Sequence, residues 1–136
     1  MSATKGSLSV PAPEKTSQLT NDSRYLSVIE YVLSETNLKS KTSLTISDLP
    51  TGSIIQEIEV RVTTPFTPTT TQYNLAISGS NGAVLMSANC NDPNTAGVYH
   101  TDCYYEVTST VVITHNMNNI TAGSAIVRFF VYVVES

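Results

Sequence analysis

The sequence predicts an all-β fold: an antiparallel, jelly-roll-like β-sandwich of about eight strands, with an extended N-terminal arm. Three observations predict it. Short segments alternate apolar and polar residues with a period of two, as half-buried strands do. Turn residues separate these segments at intervals of roughly 8–12 residues. The composition is about a quarter Ser and Thr, with 40% hydrophobic but only 13% charged residues, and 136 residues suit one domain.

Residues 1–21 form the predicted arm and residues 22–136 the predicted sandwich domain. The arm is rich in Ser, Thr, Pro, Lys and Gly, and Pro11 and Pro13 exclude a regular helix or a central strand. Extended, it would reach about 70 Å. We predict that the arm lies on a neighbouring subunit. The alternative is that the arm lies on its own domain. Its isolated apolar residues are the predicted contacts: Leu8, Val10 and Leu19.

The first half of the domain contains three predicted strands. Residues 25–34 alternate as a strand does, although Leu26, Ile29 and Leu33 also fit a helix. Residues 42–47 form a short strand. Residues 53–63 form the clearest strand, followed by a stiff loop over residues 65–71. In that strand one face is predicted to hold Ile54, Ile58, Val60 and Val62, and the other Ile55, Glu57, Glu59 and Arg61.

The second half begins with a predicted hairpin and ends with the longest strand. The hairpin joins residues 73–77 to residues 83–88 through the turn at Ser78–Gly82. Two more strands are predicted at residues 98–107 and 110–114. Residues 124–134 are apolar on both faces, which predicts either a central strand or one face that contacts a partner.

The sequence carries no motif of an enzyme, and we predict that the protein is not one. His100 and Cys103 lie on opposite faces of their strand, which argues against a catalytic dyad. His115 is predicted to be a surface or loop residue. Glu57 and Glu59 lie roughly 7 Å apart, but Arg61 in the same row indicates an ordinary solvated strand face. We therefore expect no catalytic residue.

Metal ions and cofactors are not predicted. The set Cys90, Asp92, His100, Asp102 and Cys103 suggests zinc, but the chain has no C-x-x-C pair and no second histidine nearby. The two cysteines are expected to be free thiols, with a disulfide left open.

We expect the protein to bind neither nucleic acid nor membranes. The net charge of −4 would repel phosphate. No apolar run approaches the roughly 18–20 residues of a membrane span, and no secretory signal is expected.

The run Leu49–Phe66 has the form of a Gly-containing turn, a strand I-x-x-I-x-V-x-V-T and a closing aromatic residue. The strand at residues 73–77, a Gly-Val-Tyr segment at residues 97–99 and the long strand at residues 123–134 follow it. Over about residues 45–136 this pattern resembles the small β-sandwich structural proteins of tailed bacteriophages. These include capsid decoration (cement) proteins and other head or tail components.

The resemblance implies a virion structural protein, assembled in the host cytoplasm, that stabilises the capsid shell by binding across capsomers. It implies self-association, for example as a trimer, and contact with the major capsid protein or other virion proteins. It brings no catalytic residues. The alternatives are a tail or neck adaptor or fibre-base component, and a carbohydrate-binding or adhesin module.

Aromatic residues on two strands are the predicted contacts of the domain. Tyr combines apolar area with a hydroxyl group and is favoured at interfaces. The predicted interface residues outside the arm are Tyr99, Tyr104 and Tyr105 in one segment, and Phe130 and Tyr132 in the last strand. Ordinary strand packing is the alternative for both groups.

Overall fold

The computed structural model describes residues 23–135, with side chains described for residues 25–133. The predicted arm and its residues Leu8, Val10 and Leu19 lie outside this range. The strands are β1 (Ser23–Ser34), β2 (Ser43–Ile46), β3 (Ile54–Thr67), β4 (Leu75–Gly79), β5 (Val84–Met86), β6 (Gly97–Glu106), β7 (Val111–His115) and β8 (Ala122–Glu135). A short helix α1 (Glu35–Leu38) and a 3-10 turn (Ala88–Cys90) complete the described elements.

The strands form two four-stranded antiparallel sheets. The first sheet has the order β1-β8-β3-β6 and the second has the order β2-β7-β4-β5. Only β4 and β5 are neighbours both in sequence and in a sheet, so the chain otherwise crosses from one sheet to the other. This is the jelly-roll arrangement of an eight-stranded sandwich, which confirms the predicted fold class. No helix within the described residues is long and apolar enough to cross a bilayer.

The core lies between the sheets, and β8 supplies its centre. β8 pairs with β1 on one side and β3 on the other, so the prediction of a central strand is confirmed. Phe129 is fully buried, and its ring meets that of Tyr31 edge-on at 6.1 Å between centroids. The inward side chains of β8 are all buried: Ala125, Val127, Phe129, Val131 and Val133.

A β-bulge in β3 corrects the predicted faces of that strand. The pairing of β3 with both β6 and β8 shifts register between Ile55 and Glu57. Because the bulge adds one residue, Ile55 turns inward and is fully buried, while Ile54 lies half-buried on the opposite side. The prediction that Ile54 lies inside and Ile55 outside was therefore wrong.

The predicted loop at residues 65–71 begins too early, since β3 continues through Thr67. Phe66 is fully buried and lies against Gly123 at the start of β8. A Cβ at Gly123 would lie 2.4 Å from Phe66 Cδ1, so only glycine fits there. This long-range contact keeps the Pro-containing segment in the sheet.

His115 is buried, which corrects its prediction as a surface or loop residue. It ends β7 with only 7% of its surface exposed. Its Nδ1 accepts a hydrogen bond of 3.0 Å from the Met117 backbone N–H, and its Nε2 has no partner among the described residues. Burial lowers the pKa of His115 from its ordinary value, because the charged imidazolium is poorly solvated there.

Candidate assembly surface

The outward side of the first sheet, here called the outer face, carries side chains from all four of its strands within residues 25–133. β1, β8, β3 and β6 alternate their side chains between this face and the core. Its residues are Leu26, Val28, Glu30 and Val32 of β1; Ile126, Arg128, Phe130 and Tyr132 of β8; Ile54, Gln56, Glu57, Glu59 and Arg61 of β3; and Val98, His100, Asp102, Tyr104 and Glu106 of β6.

Large apolar side chains concentrate on the outer face. Seven large hydrophobic residues are exposed in the described part of the chain, and five of them lie there. These five are Leu26, Val28, Val32, Val98 and Tyr104. Leu26 is 70% exposed and Tyr104 is 77% exposed. Exposed apolar area on one side of a sheet indicates a binding surface, whereas scattered single residues do not.

Sequence reasoning missed the β1 contribution to this surface. Leu26, Val28 and Val32 share one face of the predicted strand, and Ile29, Tyr31 and Leu33 share the other. In a two-sheet sandwich every strand turns one side outward, and an edge strand has a neighbour on only one side to cover those side chains. The alternation of β1 shows that both of its sides are apolar, but its position at the sheet edge follows only from its pairing with β8.

An ion-pair cluster crosses the middle of the outer face and joins three strands. The guanidinium of Arg128 on β8 donates one hydrogen bond to Glu30 on β1 and another, at 2.8 Å, to Glu59 on β3. Arg128, and not Arg61 in the same row, therefore balances the charge of Glu59. Arg61 pairs with Ile126 and Val98 in the sheet and is exposed. The cluster fixes the lateral position of β1 against β3 through β8.

A groove of about 440 Å³ opens on the outer face beside this cluster. Leu26, Val28 and Phe130 supply its apolar wall. Ser27, Gln56, Glu57 and Asp102 supply its polar lining. The groove combines apolar area with two carboxylates, so it could accept an apolar side chain flanked by a cationic group.

The predicted Tyr segment does not form one cluster. Tyr99 points inward, and its hydroxyl donates a hydrogen bond of 2.8 Å to the Thr95 carbonyl. Tyr105 also points inward and reaches the second sheet, where its ring packs on Gly79. Only Tyr104 of the three faces outward. The prediction that these residues contact a partner remains a prediction, with Tyr104 the one placed to do so.

Phe130 and Tyr132 lie next to each other on the outer face and are half-buried. Phe130 pairs across β8 with Val28 of β1 and Glu57 of β3. Tyr132 pairs with Leu26 and Ile54. Both therefore belong to the same apolar area as the exposed β1 residues, and their predicted interface role stays a prediction.

Cys103 and His100 lie on opposite faces of β6, as the side-chain alternation predicts. Cys103 points inward, and burial, followed by the charges of Asp102 and Glu57, raises its pKa to about 11. His100 points outward from the same strand. Cys90 is exposed, and a hydrogen bond with Ser87 lowers its pKa. Both thiols are free.

Comparison with known proteins gives likenesses of structure only. No protein-family model matches the chain, and no curated protein matches it. A chain of the cyanophage Pam1 capsid asymmetric unit superposes with a TM-score of 0.62 at 19% identity, over 81% of this chain and 86% of that chain. The two chains share one fold. A chain of the acid-stable capsid of Helicobacter pylori bacteriophage KHP30 gives a TM-score of 0.48 at 12% identity, over 83% of this chain and 95% of that one.

Proposed function

We propose that this chain is a structural protein of a virus particle, and that within the particle it is a capsid decoration protein. In this role it binds the outside of an assembled shell across the junctions between capsomers. Its partners are other copies of itself and the major capsid protein. It is made in the host cytoplasm and resides in the virion.

The observation that carries the proposal is the apolar outer face. A folded domain with exposed Leu26, Val28, Val32 and Tyr104 on one side of one sheet presents a surface suited to burial against another protein. A typical specific interface buries about 800 Å² on each partner. Arg128, held between two carboxylates at the centre, supports rigid docking, since the surface needs little reordering on contact.

The fold supports the same role. The structural match covers 86% of the cyanophage capsid chain and 81% of this chain, so two domains of similar length share the jelly-roll arrangement. A jelly roll hosts many functions, including viral capsid and lectin domains, so the fold alone does not choose among them. The low charge content and the apolar outer face favour the assembly role.

A decoration protein acts through many weak contacts. Each copy adds a modest binding free energy, and the repeated sites of a symmetric shell multiply the total. Binding across two capsomers resists their separation only when both contacts are made at once. The exposed apolar area of β1 and the groove beside Phe130 supply two neighbouring parts of such a contact surface.

The test is binding of the purified full chain to shells of the virus that encodes it, after its copies have been stripped from them. We expect saturable rebinding that cosediments with the shells. Val28→Asp places a charge in the apolar part of the outer face and should reduce the bound fraction at least tenfold. The matched control is Val84→Asp, because Val84 is an exposed strand valine on the second sheet.

Copy number in intact particles separates the virion roles. Quantitative mass spectrometry should find hundreds of copies for a decoration protein and about six to eighteen for a tail or neck component. Absence from purified particles would overturn the proposal and favour the carbohydrate-binding alternative, to be pursued with a glycan array. Equal shell binding by the two aspartate variants would show that the outer face is not the contact surface.

A further inference from the structure

Three potential metal ligands meet on the outer face where β3 and β6 run side by side. They are Glu57 on β3, and His100 and Asp102 on β6. One carboxylate oxygen or imidazole nitrogen from each lies within 4.8 Å of the other two. His100 Nδ1 lies 3.5 Å from Glu57 Oε2. The set considered from the sequence also contains Cys90, Asp92 and Cys103, and Cys103 points inward, away from these three ligands.

The pairing register of β3 with β6 creates this arrangement. Glu57 is the first residue after the register shift, and it pairs directly with Asp102 on β6. Glu59 pairs with His100, so His100 lies diagonally across from Glu57. Side-chain alternation from Glu57 onward turns Glu57 and Glu59 outward, onto the same face as His100 and Asp102.

The charges at this point of the sheet are not balanced by a protein cation. Two carboxylates directly opposite each other on neighbouring strands repel and destabilise the pairing. Arg128 is already bound to Glu30 and Glu59. Within residues 25–133 no Lys or Arg forms an ion pair with Glu57 or Asp102.

We propose that Glu57, His100 and Asp102 bind one divalent transition-metal ion, and that the ion is Zn²⁺. Two carboxylate oxygens and one imidazole nitrogen are all ligands that Zn²⁺ accepts. The imidazole disfavours Ca²⁺ and Mg²⁺, which take oxygen ligands. Three protein ligands leave the fourth tetrahedral position to water or to a donor from another molecule. The site neutralises the repulsion that the two carboxylates otherwise impose on β3 and β6.

The ion would lie at the rim of the groove, because Glu57 and Asp102 also line it. A partner that enters the groove can therefore supply the fourth ligand. Binding by the isolated chain does not depend on the proposed virion role. A zinc site in a protein that fails to bind shells would leave this inference standing, and shell binding without zinc would leave the proposed function standing.

The experiment is isothermal titration calorimetry of ZnCl₂ into the untagged, metal-free full chain, with Cys90→Ser as the background. That background removes the exposed thiol as a competing ligand. We expect one ion per chain. Glu57→Gln and Asp102→Asn, which keep side-chain size, and His100→Gln should each weaken binding at least tenfold. The matched control is Glu106→Gln, because Glu106 is an exposed, outward residue of β6, the strand of His100 and Asp102. This variant should bind zinc as the background protein does.

Thermal unfolding gives a second readout that does not depend on calorimetric heat. Zinc at a hundredfold excess over its dissociation constant should raise the melting temperature of the background protein by roughly 10 °C. It should raise the melting temperature of the three ligand variants by no more than about half as much. Without zinc, Glu57→Gln should melt no lower than the background, since it removes a repulsion. Substoichiometric binding, or equal affinity in the ligand variants and Glu106→Gln, would overturn the proposal.

Discussion

His115 is a buried imidazole whose only described hydrogen bond is the one its Nδ1 accepts from Met117 N–H. Burial holds its folded-state pKa below the ordinary 6.5. Above that pH the folded and unfolded chains both carry it neutral, so it has no effect on the pH dependence of stability. As the pH falls below 6.5, the unfolded chain takes up a proton that the folded chain excludes. This residue therefore makes the fold less stable in acid, until the folded-state pKa is passed.

We expect the free energy of unfolding to fall between about pH 7 and pH 5 more steeply in the wild type than in His115→Asn. Asparagine can place Oδ1 near the position of Nδ1 and accept the Met117 bond, but it does not titrate. Urea unfolding at several pH values measures the difference. Parallel stability curves for the two proteins would show that His115 takes up its proton equally in both states.

Gly123 and Gly52 both have positive φ, at 126° and 88°, but only Gly123 is crowded. A Cβ at Gly123 would lie 2.6 Å from Phe66 Cα, and a Cβ at Gly52 would meet nothing within 4 Å. Gly123→Ala should cost about 3 kcal/mol or more, from backbone strain plus displacement of buried Phe66.

Gly52→Ala should cost only the strain, about 1–2 kcal/mol. Guanidinium unfolding of the two variants makes the comparison. Equal losses would show that the end of β3 moves away from β8 at little cost, and that Phe66 is not fixed by Gly123.

At the scale of elements, β3 shows that side-chain alternation alone does not predict which residues of a strand are buried. Strict alternation places Ile54 in the core, whereas the bulge places Ile55 there with no exposed surface. Ile55→Ala should therefore cost about 3–4 kcal/mol. Ile54→Ala should cost about 1 kcal/mol, because Ile54 is only half-buried.

Urea unfolding of the two alanine variants tests the register directly. The reverse order of losses would mean that β3 pairs without a bulge.

Most elements were predictable from local sequence. The strands at residues 25–34, 53–63, 98–107 and 124–134 were predicted because their alternation is long and rich in β-branched residues. The end of β3 was not, since Pro65 and Pro68 resemble loop residues. Its strand conformation depends on β8, some sixty residues later: Thr63 Oγ1 and the Ser124 hydroxyl lie 2.6 Å apart.

At the scale of the whole molecule, the two sides of the first sheet have different roles. The inner side packs a dry core against the second sheet, and the outer face carries exposed apolar residues, the Arg128 cluster and the groove. The second sheet exposes only Val84 among the large hydrophobic residues of the described chain. This asymmetry is the reason that the shell-binding test compares Val28→Asp with Val84→Asp.

The sequence by itself determined that this chain is an all-β sandwich of about eight strands with a central last strand. It could do so because side-chain alternation is a local property that burial of one strand face imposes. The tertiary structure decided which faces meet. Arg128 and Glu30 are 98 residues apart, and Glu57 and Asp102 are 45 apart, yet each pair lies together. Strand order and pairing register determine such pairs, and neither is written in any local pattern.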